Sequence, residues 1–167
     1  MATVTATKGT AVVTLPSDTE ILITRTFNAP AHLIYKAWTT PELVSRWWVA
    51  NRGAMKTTDI DLRVGGTWRW VMVAEGGFEV AFHGVYLELV PHERIVYTEV
   101  FEGVPMSEDD AAINTLTFTE RDGKTYAELR VKHRIQEHRD MHIQSGMESG
   151  MQDALDLLEG VAIGLAA

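Results

Sequence analysis

The sequence predicts an α+β fold, a curved antiparallel sheet packed around one long C-terminal helix. Three observations carry this. Apolar and polar residues alternate with a period of two in segments joined by short turns, which favours antiparallel pairing. Two short helical patterns interrupt the strands after the first main one. The last segment changes to a helical period, with Met147, Met151, Ala154, Leu155, Leu158, Val161, Ala162 and Leu165 on one stripe.

Residues 1–18 are rich in Thr and Val and read as a frayed tail or an extra edge strand; residues 19–167 read as one domain. From Glu20, Ile21, Ile23, Arg25 and Phe27 alternate with Leu22, Thr24 and Thr26, as in a strand. Asn28-Ala29-Pro30 ends it, with Asn28 able to cap the next turn and Pro30 suited to an early helical position. Leu33, Ile34, Ala37 and Trp38 then recur at helical spacing. Thr40-Pro41-Glu42 starts a second short helix, striped by Leu43, Val44, Trp47 and Trp48.

Six strands are expected next, at Met55 to Leu62, Thr67 to Val73, Phe78 to Leu89, Arg94 to Phe101, Ala112 to Thr119 and Lys124 to His133. Asp122-Gly123 is a strong hairpin signal, because Gly accepts the positive φ that such a turn needs. The final helix is expected to start near Arg139 to Gln144 and to run on as one piece. Gly146 and Gly150 would then each cost about 1 kcal/mol relative to Ala. Close approach of a backbone or ligand explains that; so does a loosely wound first turn.

Composition sets the outer bounds. The 167 residues are 46% hydrophobic, carry 15 basic against 23 acidic side chains for a net charge of −8, and include no Cys. A chain of this length buries roughly 70% of its unfolded surface. The charge disfavours broad nucleic-acid or anionic-lipid surfaces. The missing Cys excludes disulfides, thiolate catalysis and Cys-based metal sites. No apolar run approaches the roughly 20 residues of a membrane span, and residues 1–16 lack an export-signal pattern. A cytoplasmic location is the expectation.

Several ordered motifs are similar to one family. They are Arg25-Thr26-Phe27-Asn28-Ala29-Pro30, Ala37-Trp38-Thr39 through Pro41-Glu42, and Trp47-Trp48. Asp61-Leu62-Arg63-Val64-Gly65-Gly66-Thr67-Trp68, His83-Gly84, and Pro91 with Arg94-Ile95-Val96-Tyr97 follow. The last are Arg139-Asp140 and Ser145-Gly146-Met147-Glu148-Ser149-Gly150-Met151. Together they resemble the activator-of-Hsp90-ATPase-homologue-like branch of the START/Bet v 1-like (SRPBCC) superfamily. The resemblance implies a helix-grip fold enclosing an apolar cavity. It ranks lipid or small-molecule binding above the chaperone activation of the family name.

Strand parity supplies candidate cavity walls. Trp68, Trp70 and Met72 share one face of their strand; Phe82 shares a face with Val80 and Tyr86; Leu129 shares one with Ala127, Val131 and His133. The expected ligand-binding residues are Trp48, Trp68, Trp70, Phe82, Tyr97, Phe118, Leu129, Met147, Met151 and Leu155. Trp and Tyr combine stacking with a hydrogen bond, and Met adapts to irregular shapes. The same residues would serve equally as plain core.

Polar chemistry is sparser. His83, Arg69 and Tyr97 are the candidate catalytic groups, for an inward His83 would exchange protons near neutrality. Ordinary salt bridges and hydrogen bonds are the competing reading of all three. Gly65-Gly66 reads as a turn, since a phosphate loop needs a following helix and usually a Lys. His138 and His142 share spacing but lack a complete ligand set, and Glu108-Asp109-Asp110 lacks calcium-loop spacing. No metal and no cofactor is expected.

The function expected is binding of a small hydrophobic or amphipathic molecule in an internal cavity. The alternatives are an enzyme acting on such a ligand, cyclase-, isomerase- or hydrolase-like, and a protein-interaction or chaperone co-regulatory module. The partners to look for are that small molecule, a second copy of the chain in a homodimer, and a chaperone, with neither nucleic acid nor membrane insertion.

Overall fold

Ile21, Ile23, Arg25 and Phe27 are all buried, whereas their neighbours reach solvent, so the first long strand has one inner face. In the computed structural model, which describes residues 10–166, this strand is β2 (Glu20–Phe27). It is preceded by a three-residue strand β1 (Val12–Thr14). The rest of the 1–18 expectation falls partly on residues 1–9, which lie outside the described residues. Then come α1 (Ala31–Thr39), α2 (Pro41–Trp47), β3 (Gly53–Ile60), β4 (Thr67–Ala74), β5 (Glu79–Val90) and β6 (Arg94–Phe101). A short 3-10 turn at Glu108–Asp110 leads to β7 (Ala112–Arg121), β8 (Lys124–Lys132), α3 (Gln136–Gln144) and α4 (Met147–Leu165).

The eight strands form one antiparallel sheet in the order β1-β2-β8-β7-β6-β5-β4-β3. The sheet curves around α4, and α1 and α2 pack on the same helix. Ala154, Leu155, Leu158, Val161 and Ala162 form its buried stripe. Asp122 and Gly123 have φ of 55° and 77°, the two positive values a tight hairpin between β7 and β8 demands.

Local chemistry departs from the sequence reading at two helix ends. Asn28 does not cap α1. The Glu120 carboxylate of β7 reaches across instead and accepts from the Ala31 amide at 2.7 Å. An anion there also suits the positive end of the helix dipole. The C-terminal helix is also not one piece. Gly146 sits between α3 and α4 at φ 81°, a left-handed conformation that ends α3 without a steric penalty. It therefore carries no helix-interior cost. Gly150 does lie inside α4, and a Cβ there would fall 2.0 Å from Nη1 of Arg52. The close neighbour is thus a side chain.

One polar tie fastens the sheet to α4. Arg25 on β2 donates to Asp156 at 2.6 Å and to Glu159 at 3.2 Å, and Glu159 also accepts from the Asn28 amide at 2.9 Å. Both Arg25 and Glu159 are buried. Removing Arg25 would take the cation from two carboxylates at once, one of them buried, and a buried pair broken on one side is costly.

Candidate functional site

The inner sheet face and α4 do not meet everywhere. Between them lies a cavity of about 480 Å³. Its walls are mostly aromatic, because the inward positions of β4, β5 and β6 carry Trp68, Trp70, Phe82, Tyr97 and Phe101. Trp48, just after α2, closes the group. The rings touch in sequence. Tyr97 lies 5.7 Å from Trp68, Trp68 lies 5.2 Å from Trp70, and Trp70 lies 5.3 Å from Trp48. Trp48 lies 5.5 Å from Phe82, which stacks on Phe101 at 5.0 Å. Most of these contacts are edge-to-face, the geometry the ring quadrupoles favour.

Arg52, Met141 and Ser145 line the cavity yet are exposed, so they mark where it opens. Val104 and Met106, on the β6–β7 connection, and Met147 and Met151 of α4 also line it and are half-buried. The rim therefore joins α2–β3, the β6–β7 loop and the α3–α4 junction.

Of the expected wall residues, Trp48, Trp68, Trp70, Phe82 and Tyr97 face the cavity. Leu129, Met147, Met151 and Leu155 do so too. Phe118 does not. It is 6% exposed and packed against Tyr35 and Trp38, farther along the sheet, where α1 covers it. Trp47, though buried with its indole N–H donating to the Ala37 carbonyl at 2.9 Å, lines the cavity together with Trp38.

The expected grouping of His83, Arg69 and Tyr97 fails. Arg69 and His83 are register partners on β4 and β5, and both project from the outer face. Arg69 pairs with Glu102, while His83 bridges Glu102 at 2.7 Å and Glu108 at 2.5 Å. Burial alone would lower the His83 pKa, but the two carboxylate bonds outweigh it and raise the value. Glu102, hydrogen-bonded to Arg69 and His83, is held down at about 2. Tyr97 alone of the three reaches the cavity. The outer cluster is a surface ion-pair network, and catalysis by these three residues together is ruled out by the thickness of the sheet.

The inner polar groups were not singled out from sequence. Glu99 and Asn114 line the cavity beside Tyr97. Asn114 Nδ2 donates to Glu99 Oε1 at 3.4 Å, and Asn114 Oδ1, in a residue only 2% exposed, has no partner among the described residues. Burial raises the pKa of both Glu99 and Tyr97. A period-two count from Tyr97 leads directly to Glu99 and Phe101, so the signal was present in β6.

Farther toward the rim, His133 Nε2 lies 3.0 Å from His142 Nδ1, with His138 also lining the cavity. Burial, helped by the charges of His142, His138 and Arg139, lowers the His133 pKa to about 4. Burial lowers that of His142 too. Among the described residues, no group of three or more His, Cys, Asp or Glu side chains is arranged to hold a metal ion. None of their helices is long and apolar enough to cross a membrane.

Comparison with known proteins places this geometry. The family model described as activator of Hsp90 ATPase homolog 1-like protein matches residues 28–162. A crystal structure from Rhodobacter sphaeroides is similar at 23% identity and a TM-score of 0.83, over 93% of this chain and 97% of that one. One from Chromobacterium violaceum shares 28% identity at a TM-score of 0.72, over 85% and 96%. The solution structure of the AHSA1-like protein from Aeromonas hydrophila shares 19% identity at 0.66, over 87% and 94%. No curated protein matches the chain.

Proposed function

This chain belongs to the activator of Hsp90 ATPase homolog 1-like family of the START/Bet v 1-like superfamily, and from that premise we propose that it binds a small hydrophobic or amphipathic molecule in its helix-grip cavity. The observation that carries this reading is the aromatic cavity of about 480 Å³. Pockets of roughly 300–1,000 Å³ with apolar walls and few polar groups are the usual small-molecule sites. A core built only for stability closes such a space, because each unfilled void forfeits packing contacts. Trp47 is buried, and Trp48 is turned onto Trp70 and Phe82, so neither supplies an exposed aromatic patch for docking a protein.

The test is titration of the purified chain with a neutral hydrophobic fluorophore, N-phenyl-1-naphthylamine, alongside native mass spectrometry. Saturable one-to-one binding that quenches Trp emission is expected, since five indoles line the space. Absence of both saturable binding and any co-purified small molecule overturns the reading.

A further inference from the structure

The placement of Glu99 goes beyond a generic apolar pocket. On β6 it stands between Tyr97 and Phe101 on the inner face, at the gap where the chain of touching rings begins and ends. Its row across the sheet holds small residues on both sides. Ala112 is its partner on β7, and the β5–β6 register (Phe82 with Phe101, His83 with Val100) places Gly84 opposite it on β5. Beyond Gly84 the row continues to Trp68, whose indole lies over Gly84, so a ring flanks the carboxyl on that side while Ala112 leaves the other side open.

Of the groups nearest it, the Asn114 oxygen is an acceptor like Glu99 itself, while the donors on the wall are the Tyr97 hydroxyl and the Trp70 indole N–H, the latter without a partner among the described residues. Among the described residues, the one hydrogen bond to Glu99 comes weakly from Asn114 Nδ2 at 3.4 Å. Asn114 Oδ1, fully enclosed and lining the same cavity, accepts nothing. An ammonium or N–H group satisfies both, whereas a carboxylate or phosphate, which carries no N–H, would face the Glu99 carboxyl and leave the Asn114 oxygen unanswered. The rings add a second preference of the same sign, since a cation over an aromatic face is attracted by the ring quadrupole. Nearby cations do not answer this need. Arg25 is engaged by Asp156 and Glu159, and Arg52 stands at the exposed rim over Gly150.

We propose that Glu99 and Asn114, enclosed by the ring arc running from Tyr97 to Phe101, receive the cationic nitrogen of an amphipathic amine whose hydrocarbon part occupies the rest of the cavity. The inference rests on the cavity-binding reading above and names the chemical class of its ligand. Burial without a charged partner raises the Glu99 pKa, and an arriving ammonium would restore the ionised form.

The test compares three probes of equal chain length, decylammonium, decanol and decanoate, by isothermal titration calorimetry on the full chain near neutral pH and below their micelle concentrations. The cation is expected to bind at least about tenfold more tightly than decanoate, and more tightly than decanol. Glu99→Gln is expected to remove most of that preference, with near-ultraviolet circular dichroism checking that the Trp packing persists. Equal or tighter binding of decanoate or decanol by the unmodified chain overturns the cation assignment, whatever the variant does. So does a folded Glu99→Gln protein that keeps the preference. If none of the three probes binds, the cavity-binding reading itself falls; equal binding of all three defeats only the amine.

Discussion

Lowering the pH from about 7.5 to about 5 adds a proton to His133 in the unfolded chain while the folded protein resists it. The ring is 8% exposed, its Nδ1 has no partner among the described residues, and His142, His138 and Arg139 face it from α3 and its flank. Glu99 stands in the same sheet row, beyond Ala112. Because the folded-state value, about 4, lies below the ordinary 6.5, the stabilisation is complete above 6.5 and is lost as pH falls through 6.5 toward 4. At about 1.4 kcal/mol per tenfold in protonation, the full effect is about 3 kcal/mol, of which about 2 kcal/mol has gone by pH 5. For a chain of this length that is roughly 4–8 °C in Tm. Thermal unfolding of the parent and of His133→Gln at the two pH values checks it, because Gln cannot take the proton. Glu99 and His83, with raised values, contribute the opposite slope and are common to both proteins, so they cancel in the comparison. His142 leaves some slope in the variant. An identical Tm change in both proteins would refute the argument.

Three further outcomes follow from other parts of the fold. Leu158→Ala empties a fully enclosed position on α4 and should cost about 2–5 kcal/mol in urea unfolding. Glu120→Ala removes the carboxylate that holds the Ala31 amide, and should cost about 1 kcal/mol by the same measurement. His83→Ala should leave naphthylamine binding unchanged, since His83 lies on the outer face; a clear loss of affinity in the fluorescence titration would contradict that placement.

The order of elements was legible because each carries its own period and its own stop. Pro41 opens α2, and Asp122-Gly123 turns β7 into β8, by local chemistry alone. The aromatic wall was legible for the same reason, through alternation on β4 and β5. What alternation cannot supply is position along the strand. Phe118 has the inward parity of Leu116 but lies under α1, where Tyr35 and Trp38 already fill the space. His83 shows the converse. Its parity, opposite Phe82, already places it outside, but apolar neighbours on both faces of β5 obscured which face was wet. Glu99 was missed because an acid in a strand normally means solvent. The row in which it sits draws on several strands, and their register is a tertiary property. The break at Gly146 is likewise invisible to periodicity, since the apolar stripe starts only at Met147 and α3 before it buries no residue.

The ring arc has a thermodynamic side as well. Trp68 is pinned by its indole N–H donating to the Thr98 carbonyl at 3.1 Å, and each ring beyond it is blocked from turning by the next. Such a wall holds one shape whether empty or full, so little rotamer freedom is left for a guest to freeze out. The methionines at the mouth, with their flexible thioethers, are the opposite material. Discrimination between guests should therefore reside in the stiff aromatic half. Tolerance for different chain lengths should reside in the pliable methionine half.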